Sequence, residues 1–433
     1  MKKILNKLSK INKNLYIVWW HTREKILWWD YSWDIDLATD ANPTELREIL
    51  NSVTEVWKKY WTIIVNEDNE SYELTSFRKD IWILDNRRPV EVEFTDSIEE
   101  DSCRRDFTFN AIYLDVKNQQ YIDPQNWIID LKNKTIRFIW NPIDRIKEDA
   151  LRILRFVRFK NKYDFKLWND NYLKILKSNI ELLKNLSIER IKSELDKIIL
   201  LDNNIQALKE LKQIGFFKIF IPEIDNLVKT PWWAKHHLEW NVWVHTLMTI
   251  GELNKYFKDT KRFNIKLNID NNLKLDLYWT MLLHDIWKND TYSIDWNKNI
   301  HYYWHEKYSY HKSKEILKNF KFSNKSKKTI LWLIENHLRV FKVFDMKTLK
   351  ARKFMMHDSF ILLIIVWLAD HKWRLPTDDI IIEKLIKFYN KFIKTLSSKK
   401  FLNWNDILVK YPDLKWREIK NKLNALNDKI LIS

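Results

Sequence analysis

Two carboxylates, Asp34 and Asp36, are separated by one residue in the run Ser32-Trp33-Asp34-Ile35-Asp36-Leu37. On a strand this spacing turns both side chains to one face. Paired there, they can hold two Mg²⁺ ions for an in-line displacement at phosphorus, activating a hydroxyl and stabilising a leaving pyrophosphate. An isolated Asp-X-Asp is more often a solvated turn, so its surroundings decide. Immediately upstream, Ile17-Val18-Trp19-Trp20-His21-Thr22-Arg23 has the pattern strand, turn, helix. Tryptophan occupies the turn where glycine would bring backbone N–H groups to a triphosphate. A second constellation lies far downstream: His245, His284-Asp285, His305, His337 and Asp370. Mixed imidazole and carboxylate ligands suit a divalent transition metal or Mg²⁺. A single helical histidine is usually structural, but ten of the 11 here fall between His236 and His371, which marks a separate metal-binding module.

The tryptophans carry information of their own. The chain has 24 Trp and 2 Gly in 433 residues, against the roughly 30 glycines that ordinary usage would supply. Trp-Trp pairs stand at 19–20, 28–29 and 232–233, in turn-like contexts. The expectation is that the gene uses UGA for glycine and that these codons are rendered here as tryptophan. The competing explanation is a protein truly rich in tryptophan.

Composition sets the outer bounds. A formal charge of +17 favours a polyanionic partner such as nucleic acid, although abundant Lys, Asn and Ile also reflect an AT-rich gene. The single cysteine, Cys103, excludes an internal disulfide framework and fits a reducing cytoplasm. The amino-terminal segment interleaves Lys and Asn with Leu and Ile, unlike a signal peptide. The longest apolar run, Phe360 to Ala369, is too short to span a bilayer and reads as a core helix. A soluble cytoplasmic protein with no membrane partner is expected.

These side chains need a scaffold. Short β-rich runs at Leu15–Val18, Thr62–Val65, Tyr72–Thr75, Val90–Phe94 and Ala111–Asp115 alternate with helical stretches, one opening at Asn42-Pro43-Thr44-Glu45. From Pro142 onward the pattern is helical to the end. The fold class is therefore α+β: a mixed α/β head over 1–140, a helical neck and body over 141–228, the histidine-rich module over 229–375 and a basic helical tail over 376–433.

Further motifs follow in order: Thr75-Ser76-Phe77-Arg78, Arg87-Arg88-Pro89, Ser97 to Asp101, Arg104-Arg105-Asp106-Phe107-Thr108-Phe109-Asn110-Ala111, Ile122-Asp123-Pro124 and Glu148-Asp149-Ala150-Leu151-Arg152-Ile153-Leu154-Arg155. With the Asp34/Asp36 region, this series resembles the class II tRNA nucleotidyltransferases, which are the bacterial CCA-adding enzymes and their poly(A) polymerase relatives. The likeness runs over about residues 14 to 225, and its head is of the DNA polymerase β type. Departures are nearly all tryptophan in place of glycine, at 19, 20, 28, 33, 82 and 127.

The resemblance implies CCA addition to a tRNA 3′ end from CTP and ATP, with Asp34 and Asp36 catalytic and Mg²⁺-bound. It implies nucleotide contacts from Trp19 and Trp20 (as glycines), Arg23 and Arg78, and ribose recognition by Arg105 and Asp106. Glu73 is a possible third carboxylate. Asp149 and Arg152, three apart on a helix, would share a face and read the Watson–Crick edge of C or A, with Arg155 extending that face. The histidine series resembles the HD phosphohydrolase metal site, with His245, His284, Asp285 and Asp370 as ligands and His305 and His337 completing a second position. Enzymes adding only A, only CC, or poly(A) share the first motif set. The same residues would also suit an HD phosphohydrolase with an RNA-holding head, or a non-catalytic RNA-binding remnant.

Overall fold

The computed structural model describes residues 1–433 except 19–21, 23–34, 51–52, 58–61, 68–69, 85–87, 231–240, 260–266, 268, 297–299, 372–378, 398–409, 412–414 and 433. The chain divides into two compact units, Met1–Ile219 and Phe220–Ser433.

The first unit opens with a seven-stranded mixed sheet. Its strands are β1 (Leu15–Val18), β2 (Asp36–Thr39), β3 (Val53–Trp57), β4 (Thr62–Glu67), β5 (Glu70–Ser76), β8 (Tyr113–Asp115) and β9 (Tyr121–Ile122), in the order β3-β4-β5-β2-β1-β8-β9. A separate hairpin is formed by β6 (Arg78–Leu84) and β7 (Arg88–Phe94). Only β2 and β5 run parallel among the paired strands of the large sheet. Apolar residues on one face, including Leu15, Ile17, Leu37, Leu74 and Leu114, pack beneath Ile4 and Leu8 of the helix Lys2–Ser9 and Leu46 of the helix Pro43–Ile49. The second helix starts where the sequence signals it, since Asn42 and Glu45 form a reciprocal capping box ahead of Pro43. The opposite face carries a smaller cluster of Tyr16, Val18, Ala38, Phe77 and Tyr113.

After the head the unit is helical, through Pro142–Glu148, Arg152–Tyr163, Tyr172–Ser178, Ile188–Ile199 and Asn204–Gln213. The second unit is built from helices including Val242–Lys258, Asn271–Leu283, His305–Asn319, Asn324–Asn336 and Phe360–His371. An all-helical chain beyond Pro142 is corrected in two places. A two-residue strand Lys166–Leu167 pairs with Thr135–Ile136, and Tyr292–Ile294 forms a hairpin with Ile300–Tyr302. Among the described residues no single helix is long and apolar enough to cross a membrane.

Two tryptophans, Trp140 and Trp304, have φ of 59° and 63°. That left-handed region costs a side-chain-bearing residue roughly 1–2 kcal/mol. Both are largely exposed, whereas Trp279 is fully buried against Phe320 and Phe322.

Candidate functional site

Asp36 opens β2 and pairs in register with Val18, the last residue of β1. On its other side it pairs with Glu73 of β5. Period-2 alternation puts Asp36 on the face of Ala38, the side opposite the covering helices. Glu73 is exposed at the same register position, so the sheet supplies a second carboxylate beside Asp36. Asp34, Trp19, Trp20 and Arg23 lie outside the described residues. Arg78 opens β6, directly after β5 and Phe77.

Arg105 and Asp106 belong to a buried network rather than to each other. Ser97 caps the helix Ile98–Cys103, whose Asp101 is fully buried. Asp101 Oδ2 accepts from Arg105 Nη2 at 2.8 Å and from the Tyr113 hydroxyl at 2.6 Å, while its Oδ1 accepts from Arg104 Nε at 2.7 Å. Burial alone would raise the Asp101 carboxyl, but the two guanidiniums and Tyr113 hold it well below the usual carboxylate range. Asp106 Oδ1 accepts from the Phe107 N–H at 2.9 Å and from Asn110 Nδ2 at 2.6 Å. Its Oδ2 accepts from Arg155 Nε at 2.7 Å and Nη2 at 2.6 Å. Burial is again outweighed, chiefly by Arg155 and Asn110, and the Asp106 carboxyl falls to about 2.

The Asp149/Arg152 pair needs correcting. The two do not share one helix, because the helix Pro142–Glu148 ends before Asp149 and the next helix begins at Arg152. Asp149 is extended, with φ −146° and ψ 104°. Its Oδ1 caps the Leu151 N–H at 3.1 Å, and Arg190 Nη2 reaches its two oxygens at 3.2 and 3.0 Å. Arg152 donates instead to Glu148 Oε2 at 2.7 Å, to the Arg145 carbonyl at 3.0 Å and to the Arg104 carbonyl at 3.2 Å. Sequence spacing missed Arg145 and Arg190, since their partners lie some forty residues away.

In the second unit five helices deliver the histidine series to one buried point. His245 lies within Val242–Lys258 and Asp370 within Phe360–His371. His284 and His337 end the helices Asn271–Leu283 and Asn324–Asn336, and His305 begins His305–Asn319. His245 Nε2 is 2.9 Å from Asp370 Oδ1, and His284 Nε2 is 3.1 Å from Asp285 Oδ2. On the other carboxylate oxygen, Asp285 Oδ1 lies 3.3 Å from His305 Nε2 and 3.9 Å from His337 Nε2. The ligand atoms thus form two groups, His245-His284-Asp285-Asp370 and Asp285-His305-His337, with Asp285 common to both.

The local chemistry fits a cation. Nδ1 of His284, His305 and His337 is 2.9, 2.8 and 2.6 Å from the carbonyls of Met281, Tyr302 and Ile334. Each such carbonyl accepts from Nδ1–H, which turns Nε2 toward the cluster, where it could bind a metal ion once any proton on it is displaced. The buried atoms His284 Nε2, His305 Nε2 and Asp285 Oδ1 have no hydrogen-bond partner, and unpaired buried polar atoms are costly. Burial opposes a charge on His284, but Asp285 and Asp370 outweigh it and push its pKa up to about 10. His337, disfavoured by burial and by His284, is pushed down to about 3.

Residues 15–137 match the Poly A polymerase head domain, and residues 170–228 match the probable RNA and SrmB-binding site of polymerase A. A CCA-adding enzyme of Listeria monocytogenes is 33% identical over 294 residues, covering 66% of this chain and 73% of the relative. The chain belongs to the CCA-adding enzyme family. A CCA-adding enzyme of Limosilactobacillus reuteri is 33% identical over 271 residues, 60% of this chain and 66% of that protein. For the Ligilactobacillus salivarius family member the chain spans 52% of its length, at 37% identity. The solved Bacillus stearothermophilus CCA-adding enzyme, in complex with CTP, aligns over 99% of this chain and 91% of its own, with a TM-score of 0.66 and 20% identity. The Thermotoga maritima CCA-adding enzyme, complexed with tRNA, aligns at a TM-score of 0.60 over 99% and 90% with 17% identity. The family fold therefore extends along nearly the whole chain.

Proposed function

We propose that this chain adds C, C and A to the tRNA 3′ end from CTP and ATP, releasing pyrophosphate. The observation that carries the reading is Asp36 beside the end of β1 with Glu73 on its other side, in a head whose family motifs are in order. Solved family members with CTP, ATP and tRNA support those partners. Asp34 and Asp36 would hold Mg²⁺, which when bound neutralises charge on the triphosphate and on the leaving pyrophosphate. Arg23, Arg78 and the turn at Trp19 and Trp20 would cradle the triphosphate. Arg105 and Asp106, locked by Asp101 and Arg155, would receive the ribose. Asp149 offers only acceptors and Arg152 only donors, and together they would admit C or A and refuse U and G. The single thiol, Cys103, suits work in the cytoplasm.

The test is incorporation of labelled CTP and ATP into tRNA lacking its 3′ end. Asp36→Asn should reduce turnover by orders of magnitude while tRNA binding through basic surface persists. Near-normal addition would remove the metal assignment. Supplying tRNAs that end before the CC or before the A separates full CCA addition from its one-step relatives.

The histidine cluster supports a second reading alongside the first, namely a divalent-metal site of HD phosphohydrolase type that His245, His284, Asp285 and Asp370 would hold, with Asp285, His305 and His337 as a second ligand group. The bound ions would supply Lewis-acid chemistry for phosphoester hydrolysis. A His284→Ala, Asp285→Ala double variant should lose metal and any phosphoesterase activity and keep CCA addition. Loss of both activities would instead tie the module to the polymerase.

The left-handed φ of Trp140 and Trp304 and their exposure support the glycine reading of those codons. Trp279, buried among aromatics, supports a true tryptophan at that site. Trp127 is buried with φ −87°, a conformation that does not need glycine. Peptide masses of the native protein decide each site.

A further inference from the structure

The base-reading and ribose-reading residues come from segments about forty residues apart, yet one residue bonds to both, through its side chain to one and its carbonyl to the other. Arg145 is buried, within the helix Pro142–Glu148. Its Nη2 donates to the Arg104 carbonyl at 2.5 Å and to the Arg105 carbonyl at 3.1 Å. Its Nη1 pairs with Glu148, at 2.9 Å to Oε1 and 2.7 Å to Oε2. The Arg145 carbonyl in turn accepts from Arg152 Nη1 at 3.0 Å. Arg152 closes the ring, since it shares with Arg145 both the Glu148 carboxylate and the Arg104 carbonyl. The Arg145 grip on two consecutive carbonyls fixes where the Arg105-Asp106 segment lies relative to Arg152.

We propose that Arg145 is a positioning residue for nucleotide selection: it sets the distance between the ribose-binding Arg105/Asp106 pair and the base-reading Arg152. It contacts neither base nor ribose itself. A planar guanidinium can hold two carbonyls and a carboxylate at once, and a lysine ammonium cannot reproduce that fork. Supporting contacts of this kind govern how well a reading group keeps its geometry. The inference rests on the proposed base-reading role of Arg152.

The experiment uses the full-length protein and tRNA lacking its 3′ end, and compares kcat/KM for CTP, ATP, UTP and GTP. Arg152→Ala should lower discrimination of CTP over UTP by about tenfold to a hundredfold. Arg145→Gln and Arg145→Ala should lower it by about tenfold, mostly through a raised KM, and Arg145→Lys should recover only part. Glu194→Gln, which breaks a neighbouring buried ion pair with Arg158, should lower the Tm and leave discrimination unchanged. That control separates positioning from general loosening. If Arg152→Ala relaxes selection but the Arg145 variants fold and select normally, the positioning role is overturned and base reading stands. If Arg152→Ala itself leaves selection unchanged, base reading falls and the role of Arg145 falls with it.

Discussion

The junction around Asp106 and the cluster around Asp285 are both buried and highly charged, but they settle their charges differently. Asp106 takes four donors from Phe107, Asn110 and Arg155, all within the chain. Asp285 leaves Oδ1 without a hydrogen bond, facing imidazole nitrogens at His305 and His337. The difference teaches that burial and charge do not by themselves mark a ligand site. The Asp106 carboxylate is held rigid by donors from its own chain, while the Asp285 cluster leaves a carboxylate oxygen and imidazole nitrogens in positions that could hold a metal ion.

The largest effect should separate the two regions outright. Adding Mn²⁺ to chelator-treated protein should raise stability by about 2.7 kcal/mol at a hundred times Kd, read as a Tm shift. With Asp34 and Asp36 replaced by Asn so that the head holds no ion, Asp285→Ala removes a ligand common to both groups and should abolish the shift, whereas Asp106→Asn should preserve it. A full metal response in Asp285→Ala would mean that the cluster is an ordinary packed core.

Acid should expose the other region. The Asp106 carboxyl is depressed from 3.8 to about 2 in the fold. Its contribution is therefore complete above the unfolded pKa and is lost as pH falls through the folded one. The difference amounts to about 2 kcal/mol at neutral pH. Asp106→Asn should cost about that much in urea unfolding at pH 7, and the penalty should shrink toward pH 2. A penalty independent of pH would show that Asp106 contributes by shape alone.

The smallest effect tests what both units share, a tryptophan forced into left-handed backbone. Trp140→Gly and Trp304→Gly in this polypeptide should each raise stability by about 1 kcal/mol. If both glycine variants destabilise, the left-handed backbone is not what limits those sites.

Much of the scaffold was legible because it follows local rules. The apolar runs of β1 and β4, the alternation in β5 and the capping box at Asn42 identify themselves. The strand at Asp36 is hard to see because Leu37, Ala38 and Thr39 are all buried, which erases the two-residue period. The strand from Arg78 is hidden by Lys79 and Asp80 among its first residues. Of the candidate sites, the histidine series stood out in sequence, and the fold brings its members together from helix ends and apolar helices. The arrangement of Asp149 and Arg152 was not legible there. Helical spacing assumes one continuous helix, while the Asp149 carboxylate turns back to cap the Leu151 N–H and breaks it. Nor can spacing show that Arg145 spends its donors on backbone carbonyls.

The parallel pairing of β2 with β5 carries a consequence for how the head assembles. β4 and β5 are joined by a tight hairpin, Glu67 opposite Glu70, which can close within microseconds. Asp36 and Glu73 meet only after the helix at Pro43 and two further strands have been laid down between them. Loop-closure entropy makes that contact a late one. In a refolding experiment with pulsed amide labelling, protection in the hairpin should precede protection in β2, and competence for nucleotide transfer should return only with the latter. By the same measure β1 and β8, which pair Tyr16 with Asp115, close a still longer loop, so Asp36 is set beside Glu73 after the hairpin forms and before the sheet is complete.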